Sequence, residues 1–271
     1  MAHYREVIEI ARRTGDGYTE AGALNNLGNV HEQQGAYADA LASYDRAWTI
    51  ARDLGLEHGV ATLGINIGIV HLRLGEPDVA LRHTQDALAL FDRLGNRGGS
   101  ARALGNLGEI QAARGELATA REHLDEALAL ARSVGADGVE TDLLNTLGEV
   151  LLGDDDPAAA TEAHERALAG ATAAGDRYEE ARAHAGLAEA ATRRRDAEDA
   201  VAHWTEAHTR YAESGAPPGR PGCPGDRRPH GEVRLSSRPA RWAVARAAVA
   251  GRSVGGSVAS GPAAGEWAGR E

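Results

Sequence analysis

The fold is decided by residues 23–55, ALNNLGNVHEQQGAYADALASYDRAWTIARDLG. Small residues of this stretch return along the chain with a fixed step of 40. The glycine that closes it belongs to the series Gly15, Gly55, Gly95, Gly135, Gly175 and Gly215. Its Leu-Gly pair at 27–28 recurs as Ile-Gly at 67–68, as Leu-Gly at 107–108 and 147–148, and as Leu-Ala at 187–188. A period between about 20 and 50 residues is typical of proteins built from stacked repeats.

Each 40-residue unit is predicted to contain two helices. In the first unit Leu24, Leu27 and His31 lie three or four residues apart, which places them on one face of a helix. After a turn, Ala40 and Ala47 repeat the helical spacing and indicate a second helix. A single helix pair cannot bury its apolar face alone, so neighbouring pairs are expected to stack into a solenoid.

The same boundaries are marked by residues that suit helix ends. The closing glycines are expected to take the left-handed conformation that ends a helix. The residues that follow three of them have side chains suited to cap the next helix, namely Asp16, Asn96 and Asp176. Pro77 and Pro157 follow the inner turn, where the first N–H of a helix has no partner to lose.

Small residues within the helices are expected to set how closely they pack. Gly28 and its copies would let the second helix of a unit approach the first, and Ala40 and Ala47 with their copies would do so from the other side. An aromatic residue, Tyr44, follows Ala40 by four residues, and aromatic or histidine side chains occupy similar places in later units, at His83, His123, His164 and Trp204.

This combination of features resembles the tetratricopeptide repeat superfamily. The family's usual period is about 34 residues, so the 40-residue units are similar to its longer variety, found in Pins-type polarity adaptors and in the C-terminal sensor arrays of bacterial transcriptional regulators. The resemblance covers residues 1–215 and implies an all-α fold, a right-handed α-solenoid. It further implies that the first helices line a concave groove in which partners lie as extended peptides or helices.

The predicted organisation has three parts. Residues 1–15 align with 41–55 and are expected to form an orphan second helix of a truncated repeat. Five whole units follow, at 16–55, 56–95, 96–135, 136–175 and 176–215. The orphan helix indicates either a fragment of a longer protein or one amphipathic helix that serves as a poor cap.

The period vanishes in residues 216–271, which hold seven of the nine prolines and ten glycines. This composition predicts a disordered, low-complexity tail, with a short helix conceivable near 239–250. The tail carries nine arginines against four acids and could contact nucleic acid or the acidic array. Alternatively, it is a linker or the product of readthrough in a shifted frame.

Composition excludes several kinds of chemistry. All 29 basic residues are arginines, so neither a lysine-dependent phosphate loop nor Schiff-base catalysis is possible within this chain. No histidine pattern matches a zinc motif and no nucleophile elbow is present, so we predict a non-enzyme without a metal or other cofactor. Residues 1–215 carry 20 arginines against 36 acids, which argues against direct nucleic-acid binding by the array.

The lone cysteine, Cys223, and the absence of a signal-like or membrane-spanning apolar run favour a cytoplasmic protein that does not enter the membrane.

The groove is expected to carry amide and charged side chains. Asn26, Asn66 and Asn106 precede the Leu-Gly pairs in register, and amides suit hydrogen bonding to a peptide backbone. The full set of predicted groove residues is Asn25, Asn26, Asn29, Asn66, Arg73, Arg102, Asn106, Glu109, Asn145 and Glu149. Alternatively, the asparagines tighten packing between units, and the charges form a solvated face. If the charges do face a ligand, a partner with basic residues toward one end is expected.

Two functional hypotheses follow from the sequence. The first is a non-catalytic scaffold for protein–protein interaction that binds a peptide or helix of a partner in the concave groove. The alternative is the C-terminal sensor arm of a larger bacterial transcriptional regulator. Both need the same groove, and they differ in what the groove controls.

Overall fold

The computed structural model describes residues 1–214, which all lie in one compact unit. The predicted tail at 216–271, with its possible helix near 239–250, and the final residue of the last unit lie outside the described residues. Within the described range the chain forms eleven α-helices and no strand. Their bounds are α1 Ala2–Thr14, α2 Gly17–Gln33, α3 Tyr37–Asp53, α4 Glu57–Arg73, α5 Pro77–Arg93, α6 Arg97–Ala113, α7 Leu117–Ser133, α8 Asp137–Gly153, α9 Pro157–Ala174, α10 Arg177–Arg194 and α11 Ala197–Ser214.

The helix ends follow the predicted signals. The side chains of Asp16, Asn96 and Asp176 accept hydrogen bonds from backbone N–H groups in the first turns of α2, α6 and α10. Pro77 and Pro157 occupy the first turns of α5 and α9. These residues satisfy or avoid backbone donors that a helix start would otherwise leave without a partner.

Every loop between helices contains a residue with positive φ. Glycine supplies it at the ends of the second helices and in three of the five inner turns. In the inner turns of the last two units the same conformation is taken by Asp155, at φ 61°, and by Arg195, at φ 66°. A side chain is disfavoured in this region, so these two turns carry backbone strain that the other units avoid.

Glycine in the middle of the first helices allows the close packing that the sequence predicts. A Cβ atom at Gly108 would lie 2.7 Å from Cγ of Leu124, and one at Gly68 would lie 2.6 Å from the Thr84 hydroxyl. Both separations are far below normal contact distances, so the second helix packs directly on the glycine backbone.

The helices stack in an all-α solenoid whose two sides differ. Each helix packs on its sequence neighbours, and the first helices of successive units also contact one another, α2 with α4, α4 with α6, α6 with α8 and α8 with α10. The second helices make no such contacts with one another within residues 1–214. The first helices are therefore closer together and form the inner side of the array.

Candidate functional site

An open groove with a volume of about 1310 Å³ runs along the first helices α4, α6, α8 and α10. Its lining is apolar on α4, where Ile65, Ile69 and Leu72 face it, and rich in carboxylates on α8 and α10. Six of the residues predicted for a groove line it, namely Asn66, Arg73, Arg102, Asn106, Glu109 and Glu149.

Three of the predicted asparagines lie on α2, outside the lining of this groove. Asn25 accepts a hydrogen bond of 2.9 Å from the side chain of Asn66. Asn29 accepts one of 2.7 Å from the hydroxyl of Tyr44, and Asn26 is exposed. Asn25 thus takes part in packing between units, which is the alternative role that the sequence left open, whereas Asn29 forms a contact within its own unit.

The fourth, Asn145, was expected in the groove, but the structure buries it completely. Its Nδ2 donates to the Glu179 carboxylate at 2.9 Å, and its Oδ1 lies 3.1 Å from Nδ1 of His164. Because Asn145 acts as the acceptor in that second contact, His164 carries its proton on Nδ1. Asn145 therefore connects a groove carboxylate to the core and is not itself available to a ligand.

The ring of His164 lies between the two first helices of units four and five. Glycines at 148 and 186 leave the space that the ring fills. Burial lowers the pKa of His164 to about 4, and Nε2 is buried without a hydrogen-bond partner in the described part of the chain. A neutral histidine is thus part of the core packing.

Asn66 and Asn106 are the amides that remain in the groove. Asn106 Nδ2 donates to the Arg102 carbonyl at 2.9 Å, and Asn66 Nδ2 donates to Asn25. Each contact orients the amide and leaves its Oδ1 without a hydrogen-bond donor among residues 1–214. The two oxygens are therefore placed to accept from an N–H group in the groove.

The carboxylate-rich end of the groove is organised by Arg182 on α10. Its guanidinium nitrogens lie 2.5 Å from Asp142, 3.0 Å from Glu149 and 3.2 Å from Glu179. The arginine side chain is only 9% exposed. Burial alone would lower the pKa of Arg182, but the three carboxylates outweigh burial and hold its pKa well above the ordinary value.

A second pair links α4 to α6. Arg73 lies 4.0 Å from the carboxylate of Glu109. Burial raises the pKa of Glu109 in spite of the opposing effect of Arg73. Burial likewise raises the pKa of Glu179, against the lowering effect of Arg182. Burial therefore disfavours the charged form of both carboxylates, and the neighbouring arginines oppose that effect only in part.

Glu149 and Glu109 were predicted from the sequence to face the groove, whereas the clustering of three carboxylates around Arg182 was not. Arg182 and Asp142 share the repeat position of Arg102, which was predicted to face the groove, whereas their pairing depends on how closely α8 and α10 approach. One feature of the sequence pointed to Glu179. It lies three residues before Arg182, a spacing that suits a contact between side chains on one helix face.

Other kinds of site are not evident in the described residues. Among residues 1–214 no three histidine, cysteine, aspartate or glutamate side chains converge as a metal-ligand set. None of the helices described is long and apolar enough to cross a membrane.

Comparison with family models identifies the repeat. Two models, each described as a tetratricopeptide repeat, match residues 21–54 and 57–133. A search of curated protein sequences returned no significant match.

Solved structures with similar folds share little sequence with this chain. BtubC from P. vanneervenii is 19% identical with a TM-score of 0.64, over 88% of this chain and 94% of BtubC. A Rap protein complexed with Competence and Sporulation Factor is 16% identical with a TM-score of 0.67, over 73% of this chain and 56% of the Rap chain.

The Rap conjugation gene regulator of plasmid pLS20, in complex with the Phr* peptide, is 14% identical with a TM-score of 0.66, over 75% of this chain. This chain spans 56% of that regulator, so in both Rap proteins a large part has no counterpart here. The two family matches identify tetratricopeptide repeats at residues 21–54 and 57–133, and the stacked helix pairs continue the same 40-residue step through residue 214.

Proposed function

We propose that this protein is a non-catalytic interaction scaffold that binds a peptide segment of a partner protein in the groove along α4, α6, α8 and α10. The observation that carries the proposal is the open groove of about 1310 Å³, which combines apolar side chains with oriented amides and carboxylates. Peptide-binding surfaces need apolar contact area for affinity and fixed polar groups for register.

The two groove amides can fix the register of a bound peptide. Asn66 and Asn106 stand at equivalent positions of neighbouring units, and each presents an oxygen that no described residue uses. An extended peptide has backbone N–H groups that such oxygens can accept from. The two Rap neighbours support the same role, since one is complexed with Competence and Sporulation Factor and the other with the Phr* peptide.

The test uses the full chain as bait for a library of random dodecapeptides displayed on phage, followed by fluorescence anisotropy with the selected peptides. The double variant Asn66→Ala/Asn106→Ala should weaken binding by about 0.5 to 1.5 kcal/mol for each lost hydrogen bond. Its helical content should remain that of the native chain.

Asn25→Ala is the matched control. It removes the same hydrogen bond between α2 and α4 that Asn66→Ala removes, but it leaves the groove lining unchanged. The control keeps both groove amides but loses the contact that orients Asn66, so its peptide affinity should fall clearly less than that of the double variant. Equal losses in both variants, or unchanged affinity in the double variant, would contradict a binding role for these amides.

A second candidate role is that of a sensor array in a larger regulator. A STAND signal-transduction ATPase from Pyrococcus horikoshii with a tetratricopeptide repeat sensor is 14% identical with a TM-score of 0.61, over 78% of this chain and 33% of that protein. The groove would then serve to couple ligand binding to an output elsewhere. A DNA-binding or nucleotide-binding domain in the same open reading frame would favour this role over a free-standing scaffold.

A further inference from the structure

The charge of the groove points to the chemistry of its occupant, given the proposed function. Seven carboxylate side chains line the groove, at Glu32, Glu109, Asp137, Asp142, Glu149, Asp176 and Glu179, against three arginines at Arg73, Arg102 and Arg182. The formal net charge of the lining is therefore −4. A groove of one sign attracts segments of the opposite sign and rejects those of its own.

The negative charge is concentrated around Arg182. One guanidinium group faces three carboxylates, so this cluster alone has a formal charge of −2. Arg182 is buried, yet the side chains of Asp142 and Glu149 are 58% and 53% exposed. The arginine holds one side of each carboxylate in place while the other side stays open to the groove.

Carboxylates that are fixed in this way are arranged to pair with a cationic side chain of a ligand. A flexible surface carboxylate loses side-chain entropy when it pairs, and a carboxylate that is already fixed loses less. Binding of a second cation would also compensate the charge that Arg182 leaves unbalanced. Arg182 thus pairs with one side of each of these carboxylates, and the other side is available to a basic side chain of a ligand.

The opposite end of the groove has different chemistry. On α4, Ile65 is nearly buried while Ile69 and Leu72 are partly exposed toward the groove. No charged side chain of α4 faces this part except Arg73 at its end, which pairs with Glu109. This section therefore suits apolar side chains of a ligand.

We propose that the occupant is an extended peptide segment of a partner protein that lays apolar side chains over α4 and arginine or lysine side chains over α8 and α10. This inference rests on the proposed function and specifies its ligand. Axes of packed helices lie about 8 to 10 Å apart, so α4 and α8 are separated by about 16 to 20 Å. An extended chain covers that distance in about five or six residues.

Arg102 makes the expected pattern more specific. It projects from α6 between the two ends and has no carboxylate within ion-pair distance among residues 1–214. Its guanidinium group would contact backbone carbonyls or a polar side chain of the ligand midway between the apolar and basic residues. A peptide that is basic throughout would fit this position poorly.

The experiment analyses which residues the random dodecapeptide library enriches on the full chain. Selected peptides should carry arginine or lysine about five or six residues from an apolar residue. Hydrogen–deuterium exchange should show protection of α4, α6, α8 and α10 when such a peptide binds. The double variant Asp142→Asn/Glu149→Gln, which changes the two carboxylates that stay open to the groove, should weaken their binding about tenfold.

The control is Glu122→Gln/Glu126→Gln on α7. Both residues are exposed and lie outside the groove lining, and the control removes the same amount of negative charge from the chain. Its affinity for the selected peptides should be native. An equal loss in control and groove variants would show that only the overall charge of the array matters, which would overturn the inference.

The possible failures can be told apart. If selected peptides protect the first helices but contain no excess of basic residues, the ligand assignment is wrong and the groove function stands. If no selected peptide protects these helices, the groove function itself fails. If a synthetic peptide of residues 216–271 displaces the selected peptides with higher affinity than they have, the assignment to a separate partner is wrong.

Discussion

The contact between Gly108 and Leu124 allows a quantitative test of how the helix pairs pack. A Cβ atom at Gly108 would lie 2.7 Å from Cγ and 3.1 Å from Cδ2 of Leu124, and 3.2 Å from the Ala120 carbonyl oxygen. Leu124 is fully buried, so it cannot turn away into solvent. The variant Gly108→Ala must therefore push α7 away from α6 or distort the leucine.

The expected cost follows from two opposing effects. Overpacking of a dense core costs about 1 to 3 kcal/mol, whereas replacing glycine by alanine inside a helix contributes up to about 1 kcal/mol of stability. Gly22→Ala on α2 isolates the second effect, because a Cβ atom there would have no atom within 4 Å. The difference between the two variants should thus be about 1 to 3 kcal/mol, the packing cost alone.

Urea denaturation monitored by circular dichroism measures both variants, and hydrogen exchange shows whether the loss is local to α6 and α7. In a Leu124→Ala background the added methyl group of Gly108→Ala should cost less, because the two contacts with the leucine side chain are gone and only the one with the Ala120 carbonyl remains. The packing argument is refuted if Gly108→Ala is as stable as Gly22→Ala. It is also refuted if Leu124→Ala leaves the cost of Gly108→Ala unchanged.

Three further outcomes follow from the described contacts. Arg195→Gly should stabilise the chain by about 0.5 to 1 kcal/mol in urea denaturation, since φ is 66° there and glycine takes this conformation without steric strain; a loss of stability would contradict the strain. The free energy of unfolding should fall as pH decreases from 6.5 toward 4, because unfolded His164 binds a proton that the folded residue excludes. The stability difference between the native chain and His164→Leu should shrink over that range, and a constant difference would exclude His164 as the cause. Arg182→Gln should lower stability at neutral pH by about 1.5 to 3 kcal/mol, and acidification should recover part of the loss as Glu179, whose pKa is raised by burial, becomes protonated.

Several features of the fold could be predicted from residue types because they depend on local backbone geometry. The positive φ of the closing glycines, the capping side chains of Asp16, Asn96 and Asp176, and the early prolines of α5 and α9 all act within one turn of a helix. Local sequence contains everything that such roles require. The 40-residue step then places each helix pair without further information.

The residues of the candidate site were predictable only in part, because a shift of one residue along a helix changes the direction in which a side chain points. Asn145 and Asn106 belong to corresponding helices but differ by one repeat position. One residue rotates a side chain by about 100° around the helix axis. That rotation places Asn106 in the groove and turns Asn145 into the core beside His164.

The sequence by itself determined the repeat, the helix boundaries and the small residues that let helices approach, since each of these depends on neighbours in the chain. Only the tertiary structure decided which groove charges are compensated. Arg182 meets Asp142 and Glu149 across 40 and 33 residues of chain, and the distance between their guanidinium and carboxylate groups depends on how α8 packs on α10. Coulomb energy varies with that separation and with burial. The sequence already suggested a partner that is basic toward one end, but which carboxylates stay open to such a partner is a property of the packed array.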